Sequence, residues 1–323
     1  MVAQLSSCTN VDSMQIAVQT MTTYADTLRL ARWSEANGVA SLGVADHYLF
    51  GVDRESPTVD QLVLLGGIAR ETETLELCTL VSPLTFRHPA VQLKSATALD
   101  QMSGGRFTLG VGTGWMEQEH EAFGLALYSL GERFDRLEEN LAYLRASLDG
   151  SGTGFSGEYY KLEGGFTPQP RPQNLRIVVG GGGSRRTPDL AGRFADEFNV
   201  FPADEPMADR IGRARAAHAD AGRDGELFVT MAFPPVAGSD RAEVEEGLRL
   251  ISARTGRTTE QTKERYLALG IPIGERNAIA EGLAELESLG IQRVYLQSAV
   301  DIDQAIRQAE LFLDAATNHR QAT

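Results

Sequence analysis

Arg176-Ile177-Val178-Val179-Gly180-Gly181-Gly182-Gly183-Ser184-Arg185-Arg186 leads from a short apolar run into the start of a helix. The apolar run is too continuous to face water, which is typical of a buried parallel strand. Four glycines at a helix start expose N–H groups that can bind an anion, and the arginines add positive charge. The spacing excludes the Gly-x-x-x-x-Gly-Lys-Ser/Thr loop that binds nucleotide triphosphates. The stretch therefore predicts a β–α unit with a phosphate-binding loop, a merely flexible loop being the alternative.

Similar units extend along the whole chain. The predicted strands lie at residues 15–19, 41–45, 75–81, 106–111, 176–179, 197–200, 227–233 and 293–297, with helical segments between most of them. Apolar parallel strands must be covered by helices, and eight of them close a barrel. We therefore predict an α/β fold of the (β/α)8 TIM-barrel type with insertions after strands 4 and 7. A doubly wound open sheet is the main alternative.

One domain is predicted. Residues 14–323 make up the barrel, and residues 1–13 form a loose N-terminal extension, because the first strand-like run begins only after them. The insertion after strand 4 is predicted to hold an amphipathic helix over 132–148 and an excursion near 150–162 that resembles a hairpin. A long helical stretch over 240–268 follows strand 7.

Composition limits the classes of partner. The 323 residues carry a formal net charge of −14, which disfavours binding to nucleic acid or to anionic membranes. Cys8 and Cys78 suggest no disulfide, and the histidines show no metal-ligand spacing, so no metal site is predicted. Neither a signal-peptide pattern nor an apolar stretch long enough to span a membrane is evident, so a cytoplasmic protein is expected.

Candidate reacting groups follow the strands, because barrel enzymes carry their active sites at the carboxyl ends of the strands. Strand 2 ends in Asp46-His47, and histidine suits proton transfer near neutral pH. The alternative is a turn-capping aspartate beside an incidental histidine. After strand 3, His88 precedes Pro89 and is interpreted as a helix-entry residue. Arg87 is interpreted as an exposed arginine, although it could bind an anion.

A second candidate follows strand 4, which leads into Gly110-Val111-Gly112-Thr113-Gly114-Trp115. Alternating glycines let a planar ring or a phosphate approach the main chain, since no Cβ intervenes. Trp115 could form a wall beside a flat cofactor, and Glu119 could fix a polar group. The spacing does not match the Gly-x-Gly-x-x-Gly loop of NAD-binding folds, and an ordinary tight loop is the alternative.

Taken as an ordered set, these motifs resemble the luciferase-like monooxygenase family, in particular its actinobacterial branch of F420-dependent oxidoreductases. The segments that carry the resemblance are Asp46-His47, Phe86-Arg87-His88-Pro89-Ala90, 99–106, 110–115, 131–139, and 180–183 followed by Asp196-Glu197-Phe198-Asn199. The likeness runs from Gln15 to about Asn199 and returns at 290–296.

The resemblance implies a bacterial-luciferase-like barrel, usually a homodimer, that holds a flavin or deazaflavin across the carboxyl ends of its strands. His47 would donate or accept a proton beside the ring, and Trp115 and Glu119 complete the candidate catalytic set. The candidate cofactor-binding residues are Asp46, Thr79, Leu80, Val81, Gly112, Thr113, Gly114, Gly180, Gly181, Gly182, Gly183 and Asn199. Family members often carry a non-proline cis peptide after strand 3, for which Leu80-Val81 is the matching place.

The predicted activity is hydride transfer between coenzyme F420 and a small organic substrate. An FMNH2-dependent monooxygenase of the same fold is one alternative, and a barrel that stores or senses a flavin without catalysis is another. Trp115 stands where sugar-phosphate dehydrogenases of the family carry an acidic glutamate, which argues against that reaction here.

Overall fold

The computed structural model describes residues 14–50, 58–165, 167, 169–298 and 301–322, so the predicted extension over 1–13 lies outside the described residues. Eight parallel strands form the barrel: β1 (Gln15–Thr20), β2 (Ser41–Val44), β3 (Glu76–Thr79), β4 (Phe107–Gly112), β5 (Arg176–Gly181), β6 (Glu197–Val200), β7 (Phe228–Phe233) and β8 (Arg293–Ser298). Each strand pairs with the next along the chain, and β8 pairs with β1. The predicted (β/α)8 barrel is confirmed, and the open-sheet alternative is wrong.

Helices cover the outside of the barrel. They are α1 (Tyr24–Ala36), α2 (Gln61–Glu71), α3 (Pro89–Ser103), α4 (Glu117–Phe123), α5 (Leu130–Leu148), α6 (Arg186–Phe194), α7 (Met207–Asp220), α8 (Arg241–Thr255), α9 (Thr259–Ala268), α10 (Arg276–Ser288) and α11 (Ile302–Ala322). No helix among the described residues is long and apolar enough to cross a membrane.

Both predicted insertions are present. The one after β4 contains α4, α5 and a short antiparallel pair, Phe155–Ser156 with Lys161–Leu162, where a hairpin was predicted. The one after β7 contains α8 to α10 and a short parallel pair, Val236–Gly238 with Ile273–Glu275.

Two features of the helices differ from prediction. The helical stretch predicted over 240–268 is broken, because Gly256 ends α8 with a φ of +67° and Thr258 begins α9 with a capping box. Helix α7 was not predicted. Its sequence is rich in alanine and arginine, and its large apolar residues are too few to mark a helical face.

Inside the barrel, inward-facing side chains alternate along each strand and fill the axis. The apolar part consists of Ala17, Cys78, Leu80, Val178, Ala232 and Tyr295. At the amino ends of the strands Arg293 closes the axis, with hydrogen bonds to Gln15 (2.8 Å), Glu76 (2.7 Å) and the hydroxyl of Tyr295 (3.2 Å). A cavity of about 350 Å³ lies at this end, far from the predicted reacting groups, which follow the carboxyl ends.

The turn that leads into β3 is held by one carboxylate. Glu35 accepts hydrogen bonds from the main-chain N–H groups of Glu73, Thr74 and Leu75 at 2.8, 2.6 and 3.0 Å. Partial burial alone would raise the pKa of Glu35, but these donors favour the charged form and lower the pKa to about 2.

We expect Glu35→Gln to lower the free energy of unfolding by about 1–2 kcal/mol at pH 7, since solvent screens part of the interaction. The folded-state pKa lies below the unfolded one. The stabilisation is therefore complete above the unfolded value and is lost as the pH falls toward about 2. Urea unfolding measures the free energy of unfolding of Glu35→Gln and of the unchanged protein at pH 7 and at pH 3. The difference between the two proteins should be smaller at pH 3 than at pH 7. An equal difference at both values, or an equal effect of Glu73→Gln at the exposed neighbouring position, would contradict this role.

Candidate active site

The carboxyl end of the barrel has a polar floor made by two strand-terminal amides. Gln297 Nε2 donates to Gln19 Oε1 at 2.6 Å, and Gln19 Nε2 donates to the carbonyl oxygen of Leu80. The Leu80–Val81 peptide bond is cis, at the place that the resemblance indicates. Sequence reasoning missed both glutamines as site residues. Their signal is positional, since each lies two residues after an inward-facing residue of β1 or β8.

Val81 lies between two glycines of neighbouring strands. A Cβ added at Gly112 would lie 2.8 Å from Val81 Cγ2, and one at Gly180 would lie 3.0 Å from Val81 Cγ1. At Gly110 a Cβ would lie 1.8 Å from the carbonyl oxygen of Thr79. The glycines that the sequence assigns to a ligand thus also have a packing reason, because larger residues would collide with β3 and the segment that follows it.

Thr79 is fully buried and ties β3 to β4. Its hydroxyl donates to the carbonyl oxygen of Gly110 at 3.1 Å and accepts from the Gly110 N–H at 2.8 Å. Further along, Thr113 and Gly114 lead from the floor to Trp115, and Gly114 has a φ of +74°, which favours glycine. Cofactor contacts of Thr79, Thr113 and Gly114 stay predictions.

The glycine loop after β5 contains one position with no packing reason for glycine. A Cβ at Gly182 would approach only Ala203, at 3.9 Å, whereas one at Gly183 would lie 2.4 Å from Thr187 Oγ1. Helix α6 begins three residues later at Arg186, without a side-chain cap among the described residues. The first turn of α6 therefore has N–H groups that a ligand could accept from.

Two arginines of α7 hold this loop in place. Arg210 donates to the carbonyl oxygens of Gly181 at 2.9 Å and Phe201 at 2.7 Å, and its side chain is fully buried. Arg213 donates to the carbonyl oxygen of Ser184 at 2.6 Å. The carbonyl oxygens at 181 and 184 are thereby occupied. Nothing in the sequence marked these arginines, because α7 itself was not predicted.

His47 and Glu119 form a pair beside the floor. His47 Nδ1 lies 3.1 Å from Glu119 Oε1 and 3.2 Å from Oε2. Glu119 is fully buried, and its Oε2 also accepts from the main-chain N–H groups of Tyr48 at 3.0 Å and Leu49 at 3.5 Å. A carboxylate at Nδ1 fixes the proton there and leaves Nε2 as the nitrogen that can exchange a proton.

The structure therefore places Glu119 behind His47. No described residue forms a hydrogen bond with His47 Nε2, so this nitrogen is the one available to a ligand. A direct catalytic part for Glu119 stays a prediction, and its observed contacts are those of a group that orients the histidine and the chain after it.

Aromatic side chains line the same side of the open carboxyl end of the barrel, which we call the mouth. The ring of Trp115 meets the ring of His47 edge-on at a centroid distance of 5.8 Å. The ring of Phe50 lies 5.5 Å from the ring of His47. Tyr48 stacks on Phe86 at 4.2 Å. Trp115 is nonetheless 65% exposed, so a large apolar surface faces the open mouth, which is typical of a ligand-binding wall.

Asp46, the residue before His47, is engaged by side chains of the segment after β3. It is fully buried and accepts hydrogen bonds from Ser82 Oγ at 2.6 Å and from the guanidinium group of Arg87, which also donates to Asp60 at 2.5 Å. Burial alone would lower the pKa of Arg87, but the two carboxylates raise it well above its usual value. The interpretation of Arg87 as an exposed arginine is wrong, since its side chain is only 8% exposed.

The cofactor contact proposed for Asp46 stays a prediction, since its oxygens serve Ser82 and Arg87 in the structure. His88 accepts from the N–H of Ala90 at 3.1 Å as the N-cap of α3, so its interpretation as a helix-entry residue is confirmed.

Known proteins share this architecture. The family model described as luciferase-like monooxygenase matches residues 7–293. An F420-dependent glucose-6-phosphate dehydrogenase of Amycolatopsis mediterranei (strain U-32) is 27% identical over 308 residues, which cover 91% of this chain and 86% of that protein.

Two solved structures superpose closely on the barrel. The monooxygenase RslO1 from Streptomyces bottropensis has a TM-score of 0.79 and 19% identity, covering 95% of this chain and 100% of that one. An F420-dependent secondary alcohol dehydrogenase in complex with an F420-acetone adduct has a TM-score of 0.76 and 19% identity, covering 94% and 99%. At this identity the likeness to both structures shows the fold alone.

Proposed function

Since the chain belongs to the luciferase-like monooxygenase family, we propose that it is an F420-dependent oxidoreductase that transfers a hydride between the deazaflavin and a small organic substrate. The His47–Glu119 pair at the open end of the barrel, 3.1 Å apart, is the observation that supports this most. The F420-dependent dehydrogenase that is similar over 91% of the chain supports the choice of cofactor.

The residues at the mouth fit a flat ring with a phosphate-bearing tail. Val81, which follows Leu80 at the polar floor, is flanked by Gly112 and Gly180, so this surface carries no side chain larger than valine. The glycine loop continues to Gly182, where a Cβ would project into nearly open space, next to the uncapped start of α6. We assign the ring to Leu80, Val81, Gly112 and Asn199, and the phosphate to Gly180, Gly181, Gly182 and Gly183.

F420, when bound, supplies the carbon that accepts or donates the hydride. The chain supplies the proton acceptor. For an alcohol substrate, His47 Nε2 would accept the hydroxyl proton, and for a ketone the protonated histidine would return a proton to the carbonyl oxygen. The buried carboxylate of Glu119 stabilises the imidazolium that forms, and Trp115 excludes water from that side of the substrate.

Cofactor titration tests the assignment. We expect quenching of protein fluorescence to show at least about tenfold tighter binding of F420 than of FMN. Gly182→Asp should weaken F420 binding by about tenfold or more, because a carboxylate would lie where the phosphate binds. Gly212→Asp is the matched control, since its Cβ meets nothing within 4 Å on the exposed side of α7.

Three outcomes would each contradict one part of the proposal: the cofactor, the catalysis or the phosphate site. Tighter binding of FMN, together with oxygen uptake by the reduced complex, would support the monooxygenase alternative. Binding without turnover of any alcohol, enone or imine in a panel would favour the storage or sensor barrel. An equal loss of affinity in Gly182→Asp and Gly212→Asp would contradict the assignment of the phosphate to the glycine loop.

A further inference from the structure

A chain of three buried polar side chains runs along the inside of β6 and β7. Glu197 and Asn199 are successive inward-facing residues of β6, and Thr230 of β7 lies in register with Asn199. Thr230 Oγ1 donates to Glu197 Oε1 at 2.7 Å, and Asn199 Nδ2 donates to Thr230 Oγ1 at 2.9 Å. Glu197, Thr230 and Asn199 are 1%, 0% and 4% exposed, respectively. Neither Glu197 nor Thr230 takes part in the chemistry proposed above.

The hydrogen bonds along these three side chains have a fixed donor-to-acceptor direction, because a hydroxyl group has only one hydrogen. Thr230 directs that hydrogen to the carboxylate of Glu197, so its oxygen can only accept from Asn199. Burial raises the pKa of Glu197, and the positive charges of Arg293 and Arg176 oppose that rise. The NH2 group of Asn199 is consequently held toward Thr230, and the amide oxygen is the end left for another partner.

Asn199 stands at the mouth, at the last inward-facing position of β6. It lies in register with Gly180, which borders Val81 on the proposed floor. No described residue donates a hydrogen bond to Asn199 Oδ1. The mouth therefore presents the acceptor Asn199 Oδ1, whose orientation is set by the hydrogen bonds from Asn199 to Thr230 and from Thr230 to Glu197.

We propose that Glu197 and Thr230 are positioning residues, which hold the Asn199 carboxamide with Oδ1 ready to accept a hydrogen bond from an N–H group of the cofactor ring. We infer this on the basis of the proposed function, since the pyrimidine edge of a flavin or deazaflavin carries an N–H between two carbonyl groups. Asn199 would touch the cofactor, whereas Thr230 and Glu197 act only through it.

Replacing the hydroxyl of Thr230 tests whether these hydrogen bonds position Asn199. Thr230→Val keeps the side-chain volume and should weaken F420 binding by about tenfold, as expected for one misplaced hydrogen bond. Thr230→Ser restores the hydroxyl and should bind within about twofold of the unchanged protein. Thr97→Val is the matched control, because Thr97 is equally buried but bonds the Leu93 carbonyl at 2.8 Å within α3.

A double-mutant cycle separates positioning from a general structural effect. In an Asn199→Ala background, Thr230→Val should change the F420 dissociation constant by less than about twofold, because the group it positions is gone. A tenfold effect that persists without Asn199 would overturn the proposal, as would equal losses from Thr230→Val and Thr97→Val.

A ligand-free measurement keeps this proposal distinct from the proposed function. The side-chain amide protons of Asn199, followed by 15N NMR, should exchange slowly in the unchanged protein and rapidly in Thr230→Val. If the amide is protected but neither F420 nor FMN binds, the proposed function and the assigned cofactor partner fail while the positioning by Thr230 stands. If F420 binds but the amide exchanges equally in both proteins, the positioning fails and the proposed function stands.

Discussion

Replacing His47 by alanine is expected to slow turnover by about 10²–10⁴-fold, while the F420 dissociation constant changes less than about threefold. His47 Nε2 is the nitrogen left for the substrate, because Nδ1 lies 3.1 Å from the carboxylate of Glu119. Loss of the imidazole removes the proton acceptor and leaves the proposed floor around Val81 intact. The measurement is the absorbance of F420 during reaction with the first active substrate from a panel of alcohols, enones and imines.

Two further variants define what that result means. Glu119→Gln keeps the shape of the partner but removes its charge, and it should slow turnover by about 10–10²-fold, less than His47→Ala. His88→Ala alters another histidine, the N-cap of α3, and should leave turnover per folded molecule unchanged. Unchanged turnover in His47→Ala would refute the proton-transfer role. A parallel loss of cofactor binding would instead assign His47 to the binding site.

Replacing Arg87 by methionine is expected to lower the free energy of unfolding by about 3–5 kcal/mol. Asp46 is fully buried and depends on Arg87 and Ser82 for its hydrogen bonds. Without the guanidinium group a buried carboxylate lacks its counter-charge, and this costs far more than the loss of one surface ion pair. Urea unfolding, followed by circular dichroism, measures the change.

A surface arginine provides the control for this prediction. Arg29 pairs with Asp303 at 2.5 Å, but the two side chains are 56% and 78% exposed, so Arg29→Met should cost less than about 1 kcal/mol. Adding Asp46→Asn to Arg87→Met should recover part of the loss, since the unpaired charge is removed. Equal effects of Arg87→Met and Arg29→Met would show that the buried pair does not stabilise the fold.

The sequence by itself determined the barrel and the end at which its candidate site lies. Strand and helix periodicity arise from the local geometry of the backbone, which sets how side chains repeat along each element, so segments such as 176–179 and 293–297 could be recognised one at a time. The count of eight strands then implied closure, and the polar residues after the strands marked the carboxyl end. Helix α7 was not identified from the sequence, because it has few large apolar residues to mark a helical face.

Only the tertiary structure decided which side chains meet. His47 and Glu119 are 72 positions apart, and Gln19 and Gln297 are 278 apart, so no local pattern could pair them. The closed barrel brings such residues together, because all its parallel strands end at the same face of the barrel. The same closure places Val81 between Gly112 and Gly180, and it buries Arg87 against a carboxylate from another strand end.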